Sequence, residues 1–187
     1  MAGDTANPRL WEGADLWTAP RATALPTDLT AAMTTVPAWK AVGLLSEDGA
    51  SESRDEDVNE FYSWGGRLVR TRRSKHKRQL KVTCLEDNLV VFGLTNPNST
   101  VTTDETSNIN TRTVKVPKSE KVSFVLELED GDIKRRRHVP IGEVVEVGEV
   151  TLSDSDLQAF ELTITVYPDS NDVLYLDYDN DPQGAAA

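Results

Sequence analysis

Residues 121–139 read KVSFVLELEDGDIKRRRHV. Val122, Phe124, Leu126 and Leu128 alternate with Ser123, Val125, Glu127 and Glu129, the two-residue period of a β-strand with one face on a core. Asp130-Gly131 follows, a dipeptide suited to a tight hairpin because glycine accepts the positive φ that other residues resist. Residues 133–139 are then the returning partner strand. Working outward, residues 39–45, 61–64, 67–72, 79–83, 112–116, 143–152, 160–167 and 173–178 read as further short strands. Turn formers separate them, among them Ser46-Glu47-Asp48-Gly49, Gly65-Gly66 and Pro168-Asp169-Ser170-Asn171. One helix is expected: Thr83-Cys84-Leu85-Glu86 fits a capping box, and Leu85, Leu89 and Phe92 recur at helical spacing up to Gly93. Val90 and Val91 pull that stretch towards a strand. The expected fold is mainly β, an antiparallel sandwich or barrel with one short flanking helix, an extended N-terminal arm and long loops.

Charge is distributed unevenly over these strands. In the stretch 134–138, Lys134, Arg136 and His138 fall on one face, with Arg135 and Arg137 on the other. A strand charged on both faces reads as a sheet edge or a projecting hairpin arm, its charge partly absorbed by Glu127, Glu129 and Asp130 across the hairpin. Upstream, residues 47–60 (EDGASESRDEDVNE) hold seven acids against one base, Arg54, and read as a polar loop. Residues 67–81 (RLVRTRRSKHKRQLK) hold eight Lys and Arg and no acid. Phe61-Tyr62-Ser63-Trp64-Gly65-Gly66 lies between the two blocks. Opposite blocks this close attract each other, or the complementary block of another copy, where charge fixes register. The second option makes Glu52, Asp55, Glu56, Asp57, Arg70, Arg72, Arg73, Lys134, Arg135, Arg136 and Arg137 the candidate subunit contacts. Reversing Arg135, Arg136 and Arg137 to Glu is then expected to block polymerisation and leave the monomer folded.

A chain of 187 residues accommodates one domain with appendages. Residues 1–36, rich in Ala, Thr, Pro and Asp, read as an extended arm that docks through Trp11 and Trp17; residues 37–178 form the β domain, and 179–187 an acidic, Ala-rich flexible tail. Residues 95–111 read as a long exposed loop rich in Thr, Asn and Ser. No apolar run approaches the roughly 18 residues of a bilayer span. The first residues lack the basic and apolar regions of a secretory signal. The single cysteine, Cys84, fits a reducing cytoplasm and a small core side chain. A net charge of -11 argues against a surface that binds nucleic acid as a whole.

Motifs for chemistry are missing. His76 and His138 each sit among bases that repel a cation, and Cys84 has no CxxC partner for zinc. The segment 177–181 (DYDND) has the acids of a calcium loop without its glycine or closing Glu. Neither a nucleophile elbow nor a phosphate-binding loop is present, and paired carboxylates occur by chance in any acidic β protein. No catalytic, cofactor-binding or metal-binding residue is expected, and no enzymatic activity.

The order of segments resembles the major tail tube proteins of long-tailed, siphovirus-type bacteriophages, especially those infecting actinobacteria. The residues that carry it are Leu25-Pro26-Thr27-Asp28-Leu29 in the Trp-containing arm, Val42-Gly43-Leu44-Leu45-Ser46-Glu47-Asp48-Gly49, and Trp64-Gly65-Gly66. Leu85-Glu86-Asp87-Asn88 opening an apolar run, Val139-Pro140, residues 150–154 (VTLSD) and residues 160–168 (FELTITVYP) complete it over residues 10–168. The resemblance implies a β-sandwich flanked by a helix, six copies in a ring whose inner sheets form one continuous barrel, and rings stacked into a tube. Arms and long loops would make the contacts between rings. It implies partners in the same tail (tape measure, terminator and distal tail proteins), and double-stranded DNA passing through the lumen without specific binding. It implies no cofactor, no membrane and a place in the virion after assembly in the host bacterial cytoplasm. An acidic lumen gives phosphates no foothold, so the basic clusters are expected to face a neighbour or the outside. The competing readings are another ring-forming virion protein (tail terminator or head–tail connector), a β-sandwich binding module using Trp64 as a platform, and, last, an enzyme.

Overall fold

The computed structural model describes residues 8–182; the start of the expected arm and the end of the expected tail lie outside the described residues. The elements are β1 (Gly13–Pro20), β2 (Lys40–Gly43), β3 (Leu45–Tyr62), β4 (Leu68–Cys84), α1 (Leu89–Thr95), β5 (Thr100–Asp104), β6 (Ile109–Thr113), β7 (Val122–Asp130), β8 (Ile133–Val147), β9 (Phe160–Val166) and β10 (Leu176–Asp179). The fold is mainly β, with antiparallel strands and one short α-helix, as the alternation in 121–139 predicts.

The main sheet runs β2-β1-β7-β8-β9-β4-β3, with β10 added on β8. Its first and last strands, β2 and β3, are separated in sequence by Leu44 alone. One continuous stretch of chain therefore pairs with β1 through residues 40–43 and with β4 from Leu45 onward. The sheet must curl until its two edges meet in that stretch, which closes a barrel and removes the proximal edges. The bend falls at Gly43, whose φ is 105°. A Cβ there would lie 2.4 Å from Cδ of Glu86, and the Leu44 N–H donates to Glu86 Oε1 at 2.9 Å.

Alternating residues of the barrel strands fill the interior. Leu16, Val42, Leu80, Val82, Cys84, Phe124, Leu126, Val139, Leu162, Ile164 and Val166 form one buried cluster, and Val91 of α1 joins it. Burying each of the larger side chains contributes about 1.5–3 kcal/mol before the cost of ordering. A second, smaller cluster of Ala19, Met33, Trp39 and Val125 lies on the other face of β7, beneath residues 21–39. Trp39 Nε1 donates to the Ala24 carbonyl at 2.9 Å.

Several expectations change. Strand β1 lies inside the stretch read as an arm without regular structure, and it sits between β2 and β7 in the sheet. Residues 47–60 are not a loop: they belong to β3, 18 residues long, paired along its length with β4, 17 residues long. The expected turn at residues 46–49 is a bulge, because Leu45 pairs with Cys84 and the next pair is Ala50 with Val82. The expected loop 95–111 contains most of a small hairpin, β5–β6. Residues 133–139 and 143–152 are not two strands, because β8 continues from Ile133 through Pro140 to Val147.

The helix starts later than its expected cap. Asn88, not Thr83, is the N-cap: its Oδ1 accepts from the N–H groups of Val90 and Val91, both at 2.9 Å, while its Nδ2 donates to the Val42 carbonyl. Val91 is buried in the barrel cluster with Val90 and Leu94 packed against it, and Leu89 is 62% exposed, so burial overrides the strand preference of the valines.

The Lys134–Arg137 strand is no edge and no projecting arm. It lies between β7 and β10. A mid-sheet position is tolerable because each charge finds a partner on its own chain, as the distances below show.

Candidate assembly interface

The last pair between β4 and β9 joins Arg78 to Val166. Beyond it β3 and β4 continue as a two-stranded ribbon, pairing only with each other as far as Tyr62 and Leu68. At about 3.3 Å per residue this ribbon extends ~30 Å. Its turn is closed by the Ser63 N–H donating to the Arg67 carbonyl at 2.8 Å, with Gly65 and Gly66 at φ of 100° and 81°.

Few apolar side chains hold the ribbon; charge sets its register. Glu56 Oε1 meets Nδ1 of His76 at 2.7 Å and Nη2 of Arg54 at 2.5 Å. The hydrogen bond with His76, supported by that from Arg54, outweighs desolvation and holds the Glu56 carboxyl below the usual carboxylate range. Asp57 meets Lys75 at 2.7 Å, Glu52 meets Arg78 at 2.5 Å, and Asn59 Nδ2 donates to Ser74 Oγ at 3.1 Å. Exposed pairs of this kind are screened by solvent, so they select a register more than they stabilise.

The acidic and basic blocks thus pair within one molecule. Of the expected subunit contacts, Glu52, Glu56 and Asp57 are engaged by their own chain. Asp55, Arg70 and Arg72 form no ion pair among the described residues, and Arg73 reaches Glu56 only at 3.8 Å. The aromatic patch at 61–64 was legible in the sequence; its exposure at the tip of a projecting ribbon was not. Trp64, more often a core residue when it lies in a strand, is fully exposed in the turn, and Phe61, Tyr62, Leu68 and Val69 around it are exposed.

The second basic group is internal. Lys134 pairs with Glu129 at 2.6 Å and Arg135 with Asp179 at 3.4 Å. Arg136 is 3% exposed. Its Nε and Nη2 donate to Glu127 Oε1 at 2.9 and 2.6 Å, Nη1 donates to the Asp28 carbonyl at 2.9 Å, and Nη2 to those of Ala31 and Leu29 at 2.8 and 3.2 Å. Arg137 binds Asp177 through two hydrogen bonds and Glu52 at 2.5 Å, over the ring of Tyr175. Carboxylates at these three positions would replace donors with unpaired acceptors, so the triple reversal is expected to unfold the monomer, not to spare it.

Among the described residues, no group of three or more His, Cys, Asp or Glu is placed to hold a metal ion. Burial pushes the Cys84 thiol up to about 11, so it stays protonated at neutral pH. A cleft of about 540 Å³ between α1 and the end of β1 is lined by Leu89, Val90, Leu94, Pro20 and Val122, with Arg21, Lys40, Glu120 and Lys121 among its other residues. No helix of the described residues is long and apolar enough to cross a membrane.

The family described as phage tail tube protein matches residues 1–187. No curated protein matches the sequence. Among solved structures, the chain is similar to one in the cryo-EM structure of an extracellular contractile injection system, the PVC sheath–tube complex in its extended state. The TM-score is 0.53 at 8% identity, over 95% of this chain and 99% of that one. A looser likeness, at a TM-score of 0.48 and 8% identity over 95% of this chain and 97% of the other, is to the anti-feeding prophage cap that terminates the AFP tube. The first of these likenesses is one of fold.

Proposed function

This chain belongs to the phage tail tube protein family, and from that premise we propose that six copies close into a ring and that rings stack into the tube of a long-tailed, siphovirus-type phage. The tube conducts double-stranded DNA to a bacterial host, an actinobacterium on the resemblance of its segments. The protein has a structural role in the virion tail. Its partners are further copies of itself and the tape measure, terminator and distal tail proteins, and it assembles in the host cytoplasm.

One observation carries the reading: a charged two-stranded ribbon of ~30 Å stands away from a closed barrel with both faces bare. A lone two-stranded ribbon is marginally stable in water, so this one is completed by another molecule. Net charge supports the conduit. At -11 per copy, the surface as a whole repels DNA and lets it slide. The free bases Arg70 and Arg72 therefore face a neighbour or the outside of the tube.

Negative-stain electron microscopy of the concentrated protein at low and moderate salt tests the reading. Hollow tubes of stacked rings are expected. Single closed rings at every concentration would reassign the chain to a terminator or connector. A tube reconstruction with residues 70–73 lining the lumen would overturn the outward placement of the bases.

A further inference from the structure

We propose that the ribbon tip of one copy docks on the loop 148–159 of a second copy, so that copies join head to tail. The inference rests on the tube reading and names the receiving surface.

The two surfaces are complementary in charge. Residues 61–73 contain Arg67, Arg70, Arg72 and Arg73 and no acid. Residues 148–159 contain Glu149, Asp154 and Asp156 and no base. They are also matched in apolar character. The tip exposes Phe61, Tyr62, Trp64, Leu68 and Val69, and the loop exposes Leu152 and Leu157, each 79% accessible.

Their positions exclude contact within one molecule. The loop enters β9 at Phe160, which pairs with Cys84, whereas the ribbon departs at the other end of β9, where Val166 pairs with Arg78. From Cys84 to Leu68 the strand β4 covers ~50 Å at 3.3 Å per residue, all of it leading away from the loop. A second copy must supply the partner. Tip-to-tip pairing of two copies would oppose two sets of four arginines, so the isologous arrangement is disfavoured. Tip-to-loop pairing brings opposite charges together and repeats without closing, as a stack of units requires.

The test is a charge exchange on the full-length chain. The tip variant carries Arg67→Glu, Arg70→Glu and Arg72→Glu; the loop variant carries Glu149→Lys, Asp154→Lys and Asp156→Lys. All six positions are exposed, so both variants are expected to match the wild-type circular dichroism and melting temperature. Each alone should lose self-association in sedimentation velocity. An equimolar mixture should regain it, because each tip then meets a loop of opposite charge, and a chain carrying all six substitutions should associate by itself. Either variant assembling alone like wild type overturns the docking and leaves the tube reading intact. Loss in both without recovery in the mixture or the sixfold variant also overturns it. Should wild type and mixture associate while microscopy finds no tubes at any salt, the docking stands and the tube reading fails.

Discussion

Arg136 is the side chain on which the cover of the outer face of β7 depends. It is one of few buried charges, and it spends its donors on Glu127 and on three carbonyls of residues 28–31. Replacing it with Met keeps the stem and leaves those acceptors unpaired, so Arg136→Met is expected to cost about 3–5 kcal/mol. For a chain of this length that is a fall in melting temperature of ~10 °C or more, readable by circular dichroism. A variant melting with wild type would show that water satisfies those carbonyls equally well. His138, two residues on, gives a pH signature. It lies edge-on to Trp39 at 6.0 Å, between Val125 of β7 and Leu176 of β10, with Arg136 and Arg137 before it on β8. Burial lowers its pKa, so the unfolded chain takes up its proton first as pH falls below about 6.5. The stability that neutral His138 allows is whole above that pH and is lost as pH drops towards the lowered value. Wild type should therefore lose more melting temperature between pH 7.5 and 5.5 than His138→Gln; parallel losses would remove His138 as the cause.

At the scale of elements, the Asn88 cap and the Gly43 bend set how the helix and the closing strand meet. Asn88→Ala removes an acceptor for two helix N–H groups and a donor to Val42, and should cost about 1–2 kcal/mol in urea unfolding. Gly43→Ala forces a side chain into a positive φ and against Glu86, with an expected cost of about 1–3 kcal/mol. If Gly43→Ala unfolds at the wild-type urea midpoint, the bend is not constrained as described. These elements differ in how far the sequence disclosed them. The β7–β8 hairpin was legible because Val122, Phe124, Leu126 and Leu128 recur at every second position and only Val125 breaks the polar set between them. Strand β1 was not, because Leu16 faces the barrel while Ala19 faces the second cluster, which erases the period of two. Strand β3 was mistaken for a loop because its order comes from its partner: Glu56 and Asp57 are strand residues only opposite His76 and Lys75. Glu127 and Glu129 take up part of the Lys134–Arg137 charge, as the hairpin pattern predicted; the rest of its partners, Asp177, Asp179 and residues 28–31, are brought to it only by the fold.

For the whole molecule, the closed barrel and bare ribbon imply two very different local stabilities. Trypsin should cut the unassembled protein first within residues 67–78, where bases are dense and the ribbon has no third strand. Assembly should protect the same bonds. Early cleavage elsewhere, or equal cleavage in tubes, would mean that the ribbon is not the part completed by a neighbour. Legibility follows the same division. Attraction between the two charge blocks and the Gly65-Gly66 turn were legible in residues 47–81, but which residue meets which, and how far the ribbon runs, depend on strand register.

Strand β4 is a single rod with two occupations: Leu80, Val82 and Cys84 anchor it in the barrel, and residues 68–77 carry the tip outward. A slip of one residue would turn Lys81 and Thr83 into the core, so the barrel admits one register, and the pairs Glu56–His76 and Asp57–Lys75 fix the ribbon's beyond it. Every correctly folded copy therefore holds its tip at the same distance from its body. In a polymer, small variations in spacing accumulate with each added unit. A gauge fixed inside each subunit before it joins would keep the repeat constant over any number of them.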